Sequence, residues 1–306
     1  MNSSLPPDKT HGFRLDTMAE ITYGCSPEVR EMYKLSPFVW RHDTRFDLLL
    51  RVVNRNEDAS RKVARIHYGT STDGVHFELE PVPVIAPDER EDSYDNGGCE
   101  DPTLAVVESA LYVYYSGWNE YGKRGELLLA AGDDVHRLLK RGIALPSSEA
   151  ARNPKEAEIV HVADGSWRLF FEYAHDNRSK IGIARSANVD GPWEILTPLF
   201  AARADTWDSY HLSTGPVVSC NTDFPVMFYN GATRDARWRV GWVVFDATYS
   251  RVVARSNDPI VLPHIKRNHD DTDIAFAASA IEIDDEIHLY YSVADQYVVR
   301  AQIHRV

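Results

Sequence analysis

Five short apolar runs recur along the 306-residue chain at nearly constant spacing. They are Leu48-Leu49-Leu50-Arg51-Val52, Leu111-Tyr112-Val113-Tyr114-Tyr115, Leu169-Phe170-Phe171-Glu172-Tyr173, Val226-Met227-Phe228-Tyr229-Asn230 and Ile287-His288-Leu289-Tyr290-Tyr291. Successive starts lie 63, 58, 57 and 61 residues apart. A period of this size means an array of one supersecondary unit, because a unit so small cannot bury its own apolar face and must pack on its neighbours.

Each unit repeats the same order of events. A turn with Pro or small residues opens a first strand, at residues 36–39, 100–104, 158–160, 215–218 and 278–281. A polar turn leads into the apolar run as second strand. A third strand rich in Gly, Ala and branched residues follows, as at 66–70, 127–130 and 181–184. That order is an antiparallel meander. Thr72-Asp73-Gly74 and Asp190-Gly191-Pro192 supply residues that suit tight turns. Helical signals are confined to short stretches at 26–33 and 135–139. The expected fold is all-β, a five-bladed β-propeller spanning residues 1–306 as one domain, with 1–33 as an extension or closing segment. A β-sandwich is the alternative, but it does not account for five similar units.

Composition narrows the function. With 33 Lys and Arg against 46 Asp and Glu, the net charge is −13 and the isoelectric point about 5.4. A dispersed negative field of that size repels nucleic acid and anionic membranes. Cys25, Cys99 and Cys220 are too scattered for a disulfide framework or a thiolate zinc site. The first residues lack the basic and apolar regions of a secretory leader, and no run approaches a membrane span of ~18 apolar residues. A soluble, cytoplasmic protein is expected.

In a propeller the first strands line the axis, so polar residues there stand out. Asp101 is the foremost, in Gly97-Gly98-Cys99-Glu100-Asp101-Pro102. The glycines permit close backbone approach, and Pro102 is expected to hold Asp101 extended at the start of an inner strand. A turn-capping Asp beside Pro is the structural alternative. Glu156 and Glu158 alternate, so one is expected to face the channel and the other packing or solvent.

Several of these segments together resemble glycoside hydrolase family 130, five-bladed propellers acting on β-mannosides. Ser71-Thr72-Asp73-Gly74-Val75-His76-Phe77, Pro87, Gly98-Cys99-Glu100-Asp101-Pro102 and Leu111-Tyr112-Val113-Tyr114-Tyr115 follow the family's hallmark order. Ser36-Pro37 through Arg51, Trp207 through Pro216, Tyr229-Asn230-Gly231 and Tyr290-Tyr291-Ser292-Val293-Ala294-Asp295 are similar to further family segments, so the resemblance runs from about residue 35 to the end. It implies a general-acid role for Asp101, with inversion, and a sugar-contacting role for Arg51, Glu100, Tyr229, Asn230 and Asp295.

The departures bear on the acceptor. Where the family's phosphorylases carry basic residues around phosphate, this chain has Thr103, Glu172, His211 and Asn230. A phosphorylase must hold a dianion, which needs Arg and Lys at close range; an acid there repels it, whereas a hydrolase needs a base for water. Arg152-Asn153 resembles the family's phosphate-binding Arg-Asn and keeps phosphorolysis open. Candidate bases are Glu158, Glu172, Asp208 and His211, and the 207–211 stretch reads equally well as an ordinary interblade loop. Tyr114, Trp118, Tyr121 and Trp238 are candidate sugar platforms or simply interblade core. His269-Asp270-Asp271 with Asp273 matches neither a zinc nor a calcium pattern, so no metal and no cofactor are expected.

The leading expectation is an inverting β-mannosidase. The alternatives are a β-mannoside phosphorylase using phosphate, a sugar-binding propeller without turnover, and an arabinanase-like propeller. Substrate oligosaccharide is the expected partner, with phosphate and self-association into a homo-oligomer left open.

Overall fold

A computed structural model describes residues 11–58, 61–263 and 272–306. Six sheets build the five blades of a β-propeller, four blades each holding one antiparallel meander in a single sheet and one blade being divided between two. Blade 1 runs through strands Tyr33–His42, Arg45–Val53, Ala64–Ser71 and His76–Ile85, with Thr22–Gly24 added in parallel to the last. Blade 2 comprises Gly98–Val107, Ala110–Asn119, Arg124–Gly132 and Leu139–Leu145, and blade 3 comprises Arg152–His161, Trp167–His175, Arg178–Ser186 and Glu194–Leu196. Blade 5 orders Ala275–Ile283, Glu286–Val293 and Tyr297–Arg305, and its outer strand is the N-terminal Phe13–Glu20, paired antiparallel with Tyr297–Arg305. The last blade is thus closed by the start of the chain.

Blade 4 departs from the plain meander, because its strands break midway. His211–Ser213, Asn230–Ala232 and Trp238–Val240 form one small sheet, and Val217–Val218, Val226–Met227, Val243–Phe245 and Val252–Arg255 another. Gly215 and Pro216 mark the break in the inner strand. A Cβ on Gly215 would lie 1.9 Å from the Phe228 carbonyl oxygen, so only glycine lets the strand pass there.

The five apolar runs are the second strands of the blades, as expected. Tyr114, Tyr115, Phe170, Phe171, Phe228, Tyr229, Tyr290 and Tyr291 are all buried between blades. Burying each such ring contributes roughly 2–3 kcal/mol, so the blade-to-blade seams hold the ring together. Helix among the described residues is confined to Pro27–Arg30, a 3₁₀ turn at Val135–Arg137 and 3₁₀ backbone at Arg61, and none of it is long and apolar enough to cross a membrane. The three cysteines are free. His269, Asp270 and Asp271 lie outside the described residues, whereas Asp273 accepts a charged hydrogen bond from Arg239 at 2.8 Å.

Candidate active site

Inner strands carry bulges where they pass the axis. The ladder skips between Leu35 and Pro37 in blade 1 and between Glu100 and Thr103 in blade 2. It skips twice in blade 3, between Arg152 and Lys155 and again between Lys155 and Glu158. At these points Ser36, Asp101, Asn153 and Glu156 adopt φ of +47°, +48°, +48° and +48°. Three of the four precede a proline, which has no N–H to lose from the ladder. Non-glycine residues in this left-handed region cost about 1–3 kcal/mol each, a strain that concentrates at working sites. Asp101 is therefore not extended. Pro102 biases its predecessor toward extended backbone, but the bulge overrides that bias with a left-handed φ and turns the carboxylate toward the neighbouring blades.

Asp101 is buried and fully engaged. Its Oδ1 accepts hydrogen bonds from Ser36 Oγ at 2.7 Å and Arg51 Nη1 at 2.9 Å, while Arg51 Nη2 reaches Glu100 Oε1 at 2.7 Å. A further hydrogen bond joins Asp101 to the Glu156 carboxyl. Burial pushes Asp101 up, but the charges of Arg51 and Lys155 and the bonds from Ser36 and Glu156 outweigh it and hold the group below the usual carboxylate range. Glu156 goes the other way: burial first, and then the Asp101 charge, push it well above its ordinary value. The two carboxyls are thus driven in opposite directions and titrate as a pair.

The axial cavity, about 480 Å³, is lined by Ser36 and Arg51 of blade 1, Glu156 and Glu172 of blade 3, Trp238 of blade 4 and Asp295 of blade 5. Lys155 projects into it and pairs with Glu172, Nζ to Oε1 at 3.4 Å. That pairing, ahead of the opposing effect of burial, raises the lysine. Burial raises Glu100 and Asp295 as well, against the pull of Arg51. A side extension joins Glu100, Trp118 and Asn153 to Lys155 and Glu172. Asp101 lies just behind this wall, and Glu156 is the carboxyl through which it meets the cavity. The site therefore gathers five carboxyls around Arg51 and Lys155, both of which are already paired, with Lys62 at the same cavity.

The structure brings Arg51, Glu100, Asp101, Glu172 and Asp295 together, and it corrects other expectations. Glu158 does not face this cavity: its Oε1 accepts from the Val217 amide at 2.8 Å and its Oε2 from Thr103 Oγ1 at 3.5 Å. Residues two apart in a regular strand share a face, so the bulge between Lys155 and Glu158, not alternation, is what puts Glu156 with Lys155 on the cavity wall and Glu158 into packing. His211 accepts the Ser179 amide hydrogen at Nδ1 (3.0 Å), so a neutral ring carries its proton on Nε2 and has no free lone pair for water. Burial lowers its pKa and keeps it neutral. Tyr229 is core, its hydroxyl donating to Asp208 Oδ2 at 2.6 Å. Asp208 is itself locked by Arg203 at 3.0 Å and Arg255 at 2.5 Å.

Asn230 is a stitch between blades 4 and 5. Its Nδ2 donates to Thr214 O (2.5 Å) and Ala277 O (3.0 Å), and its Oδ1 accepts from Ala277 N (2.7 Å). Arg152 is exposed and lines a separate depression with Glu149, His175 and Asp176, not the axial cavity. Asn153 reaches the side extension, but its Oδ1 is taken by the Gly125 amide at 2.9 Å. Of the candidate platforms, Trp238 lines the cavity and packs edge-on against Phe276, and Trp118 lines the extension. Tyr114 is core and Tyr121 is exposed. Sequence reasoning missed Lys155 as a site residue; its only signal was a place in the Lys155-Glu156-Ala157-Glu158 run.

Fold and site together define a class: a five-bladed propeller with an acid pair and further carboxyls around an axial cavity, the equipment that glycosidic-bond chemistry uses. The chain belongs to glycoside hydrolase family 130, whose profile, described as β-1,4-mannooligosaccharide phosphorylase, matches residues 20–305. Among curated relatives, a β-1,2-mannobiose phosphorylase of Thermoanaerobacter sp. (strain X514) is 24% identical over 258 residues, covering 81% of this chain and 80% of that one. A 1,2-β-oligomannan phosphorylase of the same organism is 23% identical, covering 83% of each. In fold, the chain is similar to the β-1,2-mannobiose phosphorylase of Listeria innocua, with a TM-score of 0.77 at 19% identity over 94% of this chain and 97% of that one. A structure described under mannoside phosphorylases whose family contains hydrolases of β-1,2 linkages in Candida mannan also gives 0.77, at 22% identity over 98% and 95%. The curated relatives' names agree better with phosphate as acceptor than with the water that the sequence led us to rank first.

Proposed function

We propose that this protein cleaves β-mannosidic bonds with inversion, using the Asp101–Glu156 pair as proton source and water as acceptor. The observation that carries the choice of water is the charge of the cavity: Arg51 is spent on Glu100 and Asp101, and Lys155 on Glu172. In the axial cavity a phosphate dianion would meet carboxylates at close range, and the one guanidinium lining it, Arg51, is already engaged. In the reaction, the proton of the pair passes to the leaving oxygen as the C1–O bond breaks. Water attacks C1 from the opposite face, and Glu172 takes its proton, which returns to the pair through solvent. Arg51 Nε, buried and without a hydrogen-bond partner, is a donor left for a sugar hydroxyl, and Trp238 offers a face to the ring.

Phosphorolysis is the second reading, favoured by the names of the curated relatives and by Lys62, which lines the same cavity and is exposed over Tyr33. Incubation with a panel of β-mannobiosides, with and without phosphate, separates the two. Free mannose at a rate independent of phosphate is expected. Mannose 1-phosphate formed only with phosphate would replace water by phosphate as acceptor. Binding without either product would make this a sugar-binding propeller.

A further inference from the structure

A second cavity, about 350 Å³, lies in the seam between blades 3 and 4. Its floor is apolar, with Ile181, Phe200 and Leu212, and Arg178, Lys180 and Tyr210 also line it. The Arg178 guanidinium carbon is 4.6 Å from the centre of the Tyr210 ring, and that of Arg234, from blade 4, is 4.9 Å from the same centre. Two guanidinium groups therefore converge on one ring with Lys180 beside them. The nearest acids in sequence are turned elsewhere, Asp235 to Arg237 at 2.7 Å and Asp176 to His175 at 3.2 Å. Among the described residues no carboxylate pairs with Arg178, Lys180 or Arg234.

Arg55 and Lys62 stand over Tyr33 in a comparable way at the axial cavity, but the lining there also carries Glu156, Glu172 and Asp295, whereas the residues lining this second cavity include no acid. On a chain with net charge −13, cations normally find a carboxylate, and unscreened like charges repel when brought to one place. The Tyr210 ring compensates in part through cation–π attraction, and an oxyanion held by these cations would complete the site with charge-assisted hydrogen bonds. Position gives the cavity a use. Ser179 lines it, the axial cavity and the side extension alike, so the three spaces meet at that residue.

We propose that Arg178, Lys180 and Arg234 form a subsite for an oxyanion borne on the leaving part of the glycoside, a carboxylate, sulfate or phosphate, with the apolar floor under the group that carries it. This rests on reading the axial cavity as the β-mannoside site. Inorganic phosphate is the other source of the same chemistry, and the test separates the two.

Calorimetric titration of the full chain compares mannosyl-β-glucuronic acid, its neutral twin mannosyl-β-glucose, and inorganic phosphate alone. The acid is expected to bind about tenfold tighter than the twin at low salt. The margin should vanish in about 0.5 M NaCl, where the screening length is only a few ångströms, and in R178A/R234A. Equal affinity of the two disaccharides for the unaltered chain would overturn the subsite without recourse to any variant. Phosphate alone binding tightly, and losing that binding in R178A/R234A, would overturn the substrate-borne source and favour phosphorolysis. Failure of both disaccharides to bind would instead overturn the β-mannoside reading beneath it.

Discussion

Asp101 and Glu156 form a pair in unlike surroundings. Arg51 and Ser36 pull Asp101 toward the ionised form, and burial beside that charge pushes Glu156, which lines the cavity, toward the neutral one. Paired carboxyls whose environments separate them in this way are how one site stores an acid at neutral pH. Glu156→Gln keeps a donor to Asp101 but has no proton to give. It should lower kcat about 10²-fold with KM little changed, and Glu156→Asp should recover part of the loss. Steady-state kinetics on both variants checks this; unchanged kcat in Glu156→Gln would return the acid role to Asp101 alone. Asp101 was readable because the Gly97-Gly98-Cys99-Glu100-Asp101-Pro102 run is distinctive. Its partner was not, because the register of an inner strand is set by bulges that no alternation rule reveals.

Inner strands do two jobs, aiming carboxyls at the axis and tying blades to one another. Glu158 links three of them, accepting from Thr103 of blade 2 and Val217 of blade 4 while rooted in blade 3. Burial pushes it from its ordinary 4.5 up to about 8. A carboxyl raised in the folded state stabilises the fold fully below its unfolded pKa and loses that contribution as pH rises through the folded one. Stability should therefore fall between about pH 4.5 and pH 8, by ~3–5 kcal/mol from this group. Glu158→Gln should flatten that slope in urea titrations run across the same range; a slope that persists would remove Glu158 as its origin. Asn230 is the corresponding stitch between blades 4 and 5. Asn230→Ala leaves two carbonyls and one amide of Thr214 and Ala277 unpaired in the core. A loss of about 3 kcal/mol is expected from equilibrium unfolding, whereas a sugar-contacting residue would have shown its effect in KM instead.

The ring of blades closes on the N-terminal strand. Phe13–Glu20 completes blade 5, and Phe13 packs its ring 5.4 Å from that of Phe228 in blade 4. Deleting residues 1–20 would bare the edge of Tyr297–Arg305 and remove the apolar cover of Phe13 and Leu15. A fall in Tm of about 5–10 °C is expected, since losing two half-buried apolar side chains together with a paired strand costs ~3 kcal/mol. Scanning calorimetry on the shortened chain measures it; an unchanged Tm would mean that the closing strand contributes little.

The period of the apolar runs, with its fixed order of turns and strands, was enough to give an all-β propeller of five blades, because each run must be buried against the next unit whatever its detailed register. The same residues could not say which polar side chains share a site. That depends on where four bulges fall and on how neighbouring blades meet, so Arg51, Asp101, Glu156 and Glu172 converge while Tyr229 and Asn230, equally conspicuous along the chain, are taken into packing. Local pattern fixes what must be buried. Which buried acid keeps its proton is decided by charges that lie tens of residues away in the chain and within hydrogen-bond reach in the fold.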